Sequence, residues 1–471
     1  MSGKIVSSAA AIAGSTVGLF SFYLYHTKRS PYINPKDYGI SSEGLEKETL
    51  TPNTRPSAFR PLLSCLSFAF GAGVDTIFAL AAGYGRGKLH FSTEKFGPLK
   101  EALEVATIMK NDSLTCDSYQ SADEMTQRIG HPDIEWEGEW RKIQPSGCWE
   151  RDGKFLSPVC RLFRPSLVNA ILNEESKYCY VRYVLPGTCD PTRPVKEREQ
   201  KGATVPLVMH LPCSGDQYYD WRSKHFAYPL AEDEGIGSII IVSPFYGPRK
   251  IPNRPIRGVQ VNRVADLLTY GICILTEGVS IFSYLRDTCP EHRDGRFTVC
   301  GISMGAEIAG LMAAYSPIPF NVVAVAPAHC ATSIWREGVL EKVCAWDKIE
   351  EEFGSSKYGG EEKRLVVNNV GAEVGEEEVF TRGYDYVFHV LDKTDLRQFN
   401  KPFNWLPPSE RPKGIVIGAI HDAYIPLESV REVANMWKGW CSLRYILGGH
   451  CTLVVTHKEL IRQSIAEVSK R

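Results

Sequence analysis

The pentapeptide Gly301-Ile302-Ser303-Met304-Gly305 carries the residue types of a serine nucleophile in a tight turn. A serine hydroxyl is a weak nucleophile at neutral pH, so it needs a base to accept its proton and an acid to orient that base. The Gly-x-Ser-x-Gly spacing is typical of a nucleophile elbow, in which the glycines avoid steric conflict between a strand and the following helix. An ordinary strand-to-helix turn capped by serine is the alternative interpretation.

An acid and a base follow Ser303 in the order that this chemistry uses. Asp422 comes directly after the apolar run at residues 414–420, and His450 comes soon after a second run at residues 443–447. Both residues are therefore expected at the carboxyl ends of strands, where an orienting acid and a base belong. A loop carboxylate and a surface histidine are the alternatives, but the order and context favour a Ser303-Asp422-His450 triad.

The developing oxyanion of acyl transfer needs two backbone N–H donors. The amide of Met304, which follows the nucleophile, is expected to supply one of them. The second commonly comes from the loop after an early strand, here residues 210–216. Pro212 has no N–H, so Cys213 is the first candidate for the second donor and Ser214 is the other.

Five neighbouring side chains admit other roles. His421 and His457 are alternative bases, although His421 adjoins the acid and its side chain is expected to point elsewhere. Cys213 is an alternative nucleophile, but it lacks an elbow. Asp216 and Tyr218 either shape the oxyanion loop or have a purely structural role.

From residue 204 onward, short apolar runs alternate with helical segments, which predicts a mainly parallel sheet with helices on both faces. With the motif above, this pattern indicates an α/β-hydrolase fold with an inserted cap and an N-terminal extension. The predicted strands lie at residues 205–211, 238–242, 296–300, 321–326, 414–420 and 443–447.

The predicted organisation has three parts: residues 1–30 as a membrane anchor or targeting segment, 31–200 as an N-terminal extension, and 201–471 as the hydrolase domain. Residues 331–411 interrupt the strand–helix rhythm and are predicted to form a helical cap over the strand ends, where open α/β sheets bind ligands. The acidic runs in this insertion are interpreted as solvated helix faces.

The segment at residues 5–25 carries no charge and, at about 1.5 Å per residue, is about 31 Å long as a helix, enough to span a bilayer. A retained membrane anchor is favoured over a cleaved secretory signal. The basic flanks indicate a mitochondrial membrane, with the endoplasmic reticulum membrane or secretion as alternatives. A second apolar stretch at residues 61–84 contains Asp75, which favours a buried or membrane-surface helix over a spanning one.

Charge and cysteine content restrict the class of protein. Fifty-four Lys and Arg residues balance 55 Asp and Glu residues, so we expect no nucleic-acid partner. The 14 cysteines form neither a Cys-x-x-Cys pair nor a zinc-ligand spacing, so they predict no zinc site. We expect no other metal and no cofactor.

A basic cluster follows the predicted strand at residues 238–242. A solvated loop is the favoured interpretation, and binding of anionic lipid headgroups at a membrane surface is the alternative. The cluster consists of Arg249, Lys250, Arg254 and Arg257.

The chain resembles the abhydrolase domain-containing protein 18 family. The similar motifs are His210-Leu211 with Gly215-Asp216, residues 244–250 (Pro-Phe-Tyr-Gly-Pro-Arg-Lys), 298–305, 422–426 (Asp-Ala-Tyr-Ile-Pro) and 443–450. The resemblance implies Ser303, Asp422 and His450 as the triad. It also implies a mitochondrial enzyme that acts on phospholipid acyl esters, with cardiolipin as the leading candidate. The chain departs from the family pattern at residues 212–214 and across residues 331–411.

The sequence therefore predicts a serine hydrolase of the carboxylic ester or lipase type, acting as a membrane phospholipid deacylase through an acyl-enzyme. The partners expected are a lipid acyl-ester substrate and a membrane surface. A thioesterase or peptidase on the same triad is one alternative. A non-catalytic, hydrolase-like interaction protein is another.

Overall fold

The computed structural model describes residues 32–33, 65–77, 79, 97–111, 118–201, 204–252, 263–354, 365–368, 377–380, 382–398 and 402–470. The apolar segment at residues 5–25, interpreted above as an anchor, lies outside these ranges. Arg254 and Arg257 of the basic cluster also lie outside them.

The strands are β1 Tyr32–Ile33, β2 Glu135–Lys142, β3 Trp149–Leu156, β4 Tyr178–Leu185, β5 Leu207–Leu211, β6 Gly237–Ile241, β7 Phe297–Ile302, β8 Asn321–Val325, β9 Leu365–Asn368, β10 Glu377–Phe380, β11 Gly414–Ala419 and β12 Cys441–Ile446. Ten of them form one sheet in the order β1-β12-β11-β8-β7-β5-β6-β4-β3-β2. The other two, β9 and β10, pair as an antiparallel hairpin.

The centre of the sheet is parallel, from β12 through β11, β8, β7 and β5 to β6. Every residue of β5, β6, β7 and β11 is buried, as expected for strands that helices cover on both faces. The predicted fold class, a mainly parallel α/β-hydrolase sheet, is confirmed.

The helices are α1 Cys65–Ile77, α2 Leu99–Asn111, α3 Tyr119–Ile129, α4 Val159–Leu162, α5 Pro165–Ile171, α6 Val195–Lys201, α7 Asp220–Arg222, α8 Val264–Thr288, α9 Met304–Tyr315, α10 Ala331–Arg336, α11 Trp346–Phe353, α12 Gly383–Leu391, α13 Leu427–Met436, α14 His450–Thr456 and α15 Lys458–Ser469. Short 3₁₀ and π turns join several of them.

Helices cover both faces of the sheet. Helices α8 and α9 contribute to the larger apolar core, whereas α15 packs with Val208 and Val323 on the opposite face. Among the described helices, α8 is long and apolar enough to cross a membrane, but 94% of its most apolar window is buried in the protein. We therefore interpret α8 as a core helix.

Residues predicted to form an extension contribute part of the main sheet. Strands β2, β3 and β4 form an antiparallel meander, and β4 pairs with β6. Residues 135–185 therefore belong to the same sheet as the parallel strands.

The insertion between β8 and β11 contains α10, α11 and α12 together with the β9–β10 hairpin. Glu350, the first residue of one acidic run, accepts the backbone N–H groups of Gly383 and Tyr384 at 2.9 Å each. Because it caps the start of α12, Glu350 has a structural role rather than lying on a freely solvated face. The insertion also contacts the acid loop, since Val339 N donates to Ala423 O at 2.7 Å.

The structure contradicts the lipid-binding interpretation for one member of the basic cluster. Arg249 is fully buried and makes two short contacts with Glu277 of α8, at 2.7 and 2.9 Å. Its guanidinium also donates to the carbonyl oxygens of Val242 and Ser176. Arg249 therefore fixes the loop after β6 from inside the core, where no headgroup can reach it.

Replacing Arg249 with Met is expected to lower the free energy of unfolding by about 3–5 kcal/mol, because Glu277 would keep a buried charge without its partner. Urea unfolding followed by tryptophan fluorescence measures this change. Lys250→Met, at the half-buried neighbouring position, is the matched control and should change stability by less than about 1 kcal/mol. Equal losses in the two variants would contradict a structural role for the buried pair.

Candidate active site

Ser303 occupies a sharp turn between β7 and α9. Its backbone has φ 55° and ψ −123°, a conformation that residues with side chains rarely adopt. Its N–H donates to Val325 O of β8 at 2.9 Å, which fixes the turn against the neighbouring strand. The side chain is partly exposed while the residues on both sides are buried. This geometry is that of a nucleophile elbow.

Both glycines of the motif are required by close backbone approaches. A Cβ atom on Gly301 would lie 2.0 Å from Gly305 O, and one on Gly305 would lie 2.8 Å from Pro212 O. Because Gly301 has no side chain, the chain can fold back on itself at Ser303. Because Gly305 has no side chain, the loop after β5 can pack against the first turn of α9.

Asp422 and His450 form a hydrogen-bonded pair at the ends of β11 and β12. His450 Nδ1 and Asp422 Oδ2 are 2.8 Å apart, and both side chains are largely buried. The other carboxylate oxygen, Oδ1, accepts the N–H groups of Tyr424 and Ile425 at 2.8 and 2.9 Å. The turn after Asp422 therefore holds the carboxylate in a fixed orientation.

The environment of His450 favours its protonated form. Burial alone would lower its pKa, but the charge and hydrogen bond of Asp422 and the charge of Asp75 outweigh it and leave the pKa of His450 above the ordinary histidine value. The ring of Tyr424 stacks on the imidazole at 4.9 Å. Within the described residues, Ser303 Oγ makes no hydrogen bond to His450, a contact that commonly tightens when substrate binds.

The two alternative histidines have other partners. His421 Nδ1 lies 2.8 Å from Ser67 Oγ of α1, and burial lowers its pKa. His457 is buried at the junction of α14 and α15, with Nδ1 2.8 Å from Thr456 Oγ1. Neither ring is paired with Asp422, so the geometry favours His450 as the base.

The two predicted sources of oxyanion donors lie side by side. Met304 begins α9, where a helix leaves its first N–H groups without intrahelical acceptors. Ser214 Oγ lies 3.5 Å from Met304 Sδ, so the loop after β5 adjoins this helix start. The N–H groups of Cys213 and Ser214 make no hydrogen bond to other described residues, and both remain candidates for the second donor.

Buried polar contacts hold the loop at residues 210–216, the candidate oxyanion loop. Tyr270 Oη of α8 donates to Pro212 O at 2.9 Å. Asp216 and Arg222 form a buried ion pair at 2.6 Å, and Arg222 also donates to His210 O at 2.7 Å. Asp216 therefore braces the loop, whereas the side chain of Tyr218 is exposed.

Cys213 is a poor nucleophile. Burial, with a smaller effect from the charge of Asp216, raises the pKa of its thiol to about 12. A thiol with this pKa is almost entirely protonated at neutral pH and therefore unreactive.

Sequence reasoning missed the contribution of α1 to the site. Asp75 contacts the loops that carry Asp422 and His450, and Ser67 contacts His421. The available signal was a single charged residue in an apolar stretch, because such a charge requires partners when it is buried.

Comparison with known proteins finds solved structures that are similar to the chain at low sequence identity. Solved structures similar to the chain include acetyl xylan esterase 1 from Thermoanaerobacterium sp. JW/SL YS485, at 15% identity and a TM-score of 0.43, covering 79% of this chain and 99% of that one. An acetyl xylan esterase from Paenibacillus sp. R4 is similar at 13% identity and a TM-score of 0.41, covering 77% and 99%. The protein Est1E from Butyrivibrio proteoclasticus, solved with ferulic acid, is similar at 15% identity and a TM-score of 0.38, covering 62% and 96%.

The family comparison extends over most of the chain. The sequence matches the alpha/beta hydrolase domain containing 18 family over residues 101–471, which include the whole parallel sheet and the three residues predicted as a triad. Because this match covers more than half of the chain, the protein belongs to the alpha/beta hydrolase domain containing 18 family.

Proposed function

We propose that the protein is a serine hydrolase that cleaves acyl esters, with Ser303 as nucleophile, His450 as base and Asp422 as the orienting acid. The observation that carries this proposal is an elbow at Ser303 together with the 2.8 Å pair of Asp422 and His450 at the same edge of the sheet. Membership of a hydrolase family supports it.

In the first half of the proposed reaction, Ser303 Oγ attacks the acyl carbonyl carbon while His450 Nε2 accepts the hydroxyl proton. The carbonyl π electrons move onto oxygen, and the resulting oxyanion accepts hydrogen bonds from Met304 N–H and from Cys213 or Ser214. Collapse of this intermediate breaks the ester C–O bond. His450 returns the proton to the departing alkoxide, leaving an acyl-serine and a free alcohol.

In the second half, water attacks the acyl-serine while His450 again accepts a proton. The tetrahedral intermediate uses the same donors and expels Ser303 Oγ, which regains its proton from His450. The products are the carboxylic acid and the free enzyme. Asp422 orients His450 and stabilises its positive charge in both halves.

We propose phospholipids as the substrates, with cardiolipin as the leading candidate and a mitochondrial membrane as the location. Family resemblance supports this choice. Exposed apolar side chains beside the histidine loop also support it: Phe68 and Ile77 on α1 are 62% and 69% exposed, and Val455 on α14 is 64% exposed. Such a surface suits an enzyme that meets its substrate in a bilayer.

The substrate proposal is tested by following carboxylic acid release from four substrates. They are cardiolipin in phosphatidylcholine vesicles, phosphatidylcholine vesicles alone, a water-soluble acyl thioester and a peptide. We expect the highest kcat/KM on the cardiolipin vesicles, with lysolipid as the co-product. Faster cleavage of the thioester or the peptide would overturn the lipid proposal, and no cleavage of any substrate would favour an interaction protein.

The variant Ile77→Ser tests the surface in the same assay. It should lower activity on vesicles at least about tenfold, because burial of an apolar side chain contributes about 1.5–3 kcal/mol, and it should leave hydrolysis of a soluble ester unchanged. The matched control is Val195→Ser, which changes an exposed apolar residue on α6.

A further inference from the structure

Helix α1 precedes the region matched by the family, yet it contacts the candidate site. Its residue Asp75 is fully buried within a helix that is otherwise mainly apolar. A buried carboxylate without partners would be strongly unfavourable, so its partners indicate what it does.

Asp75 accepts three backbone N–H groups from two different loops. Oδ2 accepts His450 N at 2.6 Å and Ala423 N at 3.2 Å, and Oδ1 accepts Cys451 N at 2.8 Å. The first and third donors belong to the first turn of α14, which carries the candidate base. The second belongs to the residue that follows Asp422. One carboxylate therefore joins the backbone of the acid loop to that of the histidine loop.

Two glycines allow this close approach of α1. A Cβ atom on Gly71 would lie 2.6 Å from Gly449 N, and one on Gly449 would lie 2.4 Å from Asp75 Oδ2. The helix therefore rests directly on the backbone that precedes His450. The fit leaves no room for a methyl group at either position.

We propose that Asp75 is a positioning residue that fixes the Asp422–His450 pair by joining the backbones of their loops. This inference rests on the proposed function, since it assigns α1 to the machinery of the same triad. This role makes α1, which precedes the family-matched residues 101–471, necessary for full activity.

Asp75 also acts on the charge of His450. Among the described residues, Asp422 from the acid loop and Asp75 from α1 act on the charge of the imidazole, and the ring of Tyr424 stacks on it. Cys451, the next residue of α14, interacts with Asp75 and Tyr424. Burial raises the pKa of both Tyr424 and Cys451, which keeps them neutral. Burial and the nearby charge of Asp422 also raise the pKa of Asp75, whereas its three N–H donors favour the carboxylate.

The variant Asp75→Asn tests the proposal. Loss of the carboxylate charge should lower the pKa of His450, and since the neutral imidazole is the base, the acid limb of kcat/KM should move to lower pH. Misplacement of the pair should lower kcat about 10- to 100-fold with KM unchanged. The matched control Thr76→Val, which removes only a hydrogen bond to Ala72 O within α1, should change neither quantity.

If Asp75→Asn does not fold, Gly71→Ala tests the same contact with the carboxylate retained. The added methyl must push α1 away from Gly449, so kcat should fall. Gly73→Ala, where the nearest atom would be 3.9 Å from the new Cβ, should not lower it. Equal effects of these two glycine variants would overturn the proposal, as would a folded Asp75→Asn variant with wild-type kcat and acid limb.

Failure of the proposed function is distinguishable from failure of the Asp75 inference. If the proposed function fails, a fluorophosphonate probe does not label Ser303 in the wild-type protein. The His450 titration, followed by histidine NMR with His450→Gln to assign its signal, needs no substrate. A His450 pKa that is the same in wild type and Asp75→Asn would overturn the Asp75 inference alone.

Discussion

Replacing Ser303 with Ala is expected to lower kcat for ester hydrolysis by about five to six orders of magnitude, as when the nucleophile of a comparable serine enzyme is removed. The remaining rate would come from oxyanion stabilisation and substrate binding alone. Alanine keeps the Cβ atom and therefore the same backbone strain at φ 55°, so the fold should be retained. A fluorophosphonate probe should modify the wild-type peptide that contains Ser303 and leave the variant unmodified.

A matched control distinguishes this loss from a general effect of removing a serine hydroxyl. Ser146 lies in the turn between β2 and β3, so Ser146→Ala should retain wild-type turnover and labelling. Wild-type turnover by Ser303→Ala would assign the nucleophile elsewhere. If Ser303→Ala loses labelling but the wild-type protein hydrolyses no ester, acyl thioesters and peptides are the substrates to test first.

The elbow and its order relative to the acid and base could be predicted because they depend on local sequence. Gly301 must lack a side chain because it lies against Gly305 in the same pentapeptide. Gly305 must lack one because it lies against Pro212 in the adjacent loop. The parallel strands could also be predicted from the sequence, because strands that helices cover on both faces must be continuously apolar. The apolar runs therefore predict from the sequence alone that Ser303, Asp422 and His450 lie at strand ends.

Contacts between distant segments could not be predicted in the same way. Arg249 is next to Lys250 in the sequence, and nothing local shows that Glu277, 28 positions later, would neutralise it inside the core. Asp75 and His450 are 375 positions apart, so their contact exists only in the folded chain. The sequence predicted a solvated loop or a membrane surface for Arg249 and a buried or membrane-surface helix for Asp75, whereas only the fold shows which partners each buried charge has.

The acid loop depends on the same kind of long-range assembly. Asp422 receives N–H donors from its own turn, while the following residue is held by Asp75 from α1 and the insertion contacts Ala423 O through Val339 N. Three separate parts of the chain therefore determine where the Asp422 carboxylate meets the imidazole. This arrangement gives the two carboxylate oxygens of Asp422 different partners, because Oδ1 accepts backbone N–H groups and Oδ2 faces His450.

Replacing Asp422 with Asn is expected to lower kcat by about four orders of magnitude through the wrong histidine tautomer. In the native turn, Oδ1 accepts N–H groups from Tyr424 and Ile425, while Oδ2 faces His450 Nδ1. An asparagine keeps its single oxygen in the first position, so its NH₂ group faces the imidazole. Nδ1 must then act as an acceptor, so the proton of the neutral ring lies on Nε2. A protonated Nε2 cannot accept the proton of Ser303.

This variant should also move the acid limb of kcat/KM to lower pH, because the charge and hydrogen bond of Asp422 raise the pKa of His450. Asp190→Asn is the matched control, since Asp190 caps a comparable turn by accepting Thr192 N at 3.1 Å and should be replaceable without loss of turnover. A pH–rate profile of the two variants and wild type measures both effects. Wild-type turnover in Asp422→Asn would contradict the assignment of the acid, because no other described carboxylate contacts His450 Nδ1, the position that the acid of a serine hydrolase must occupy.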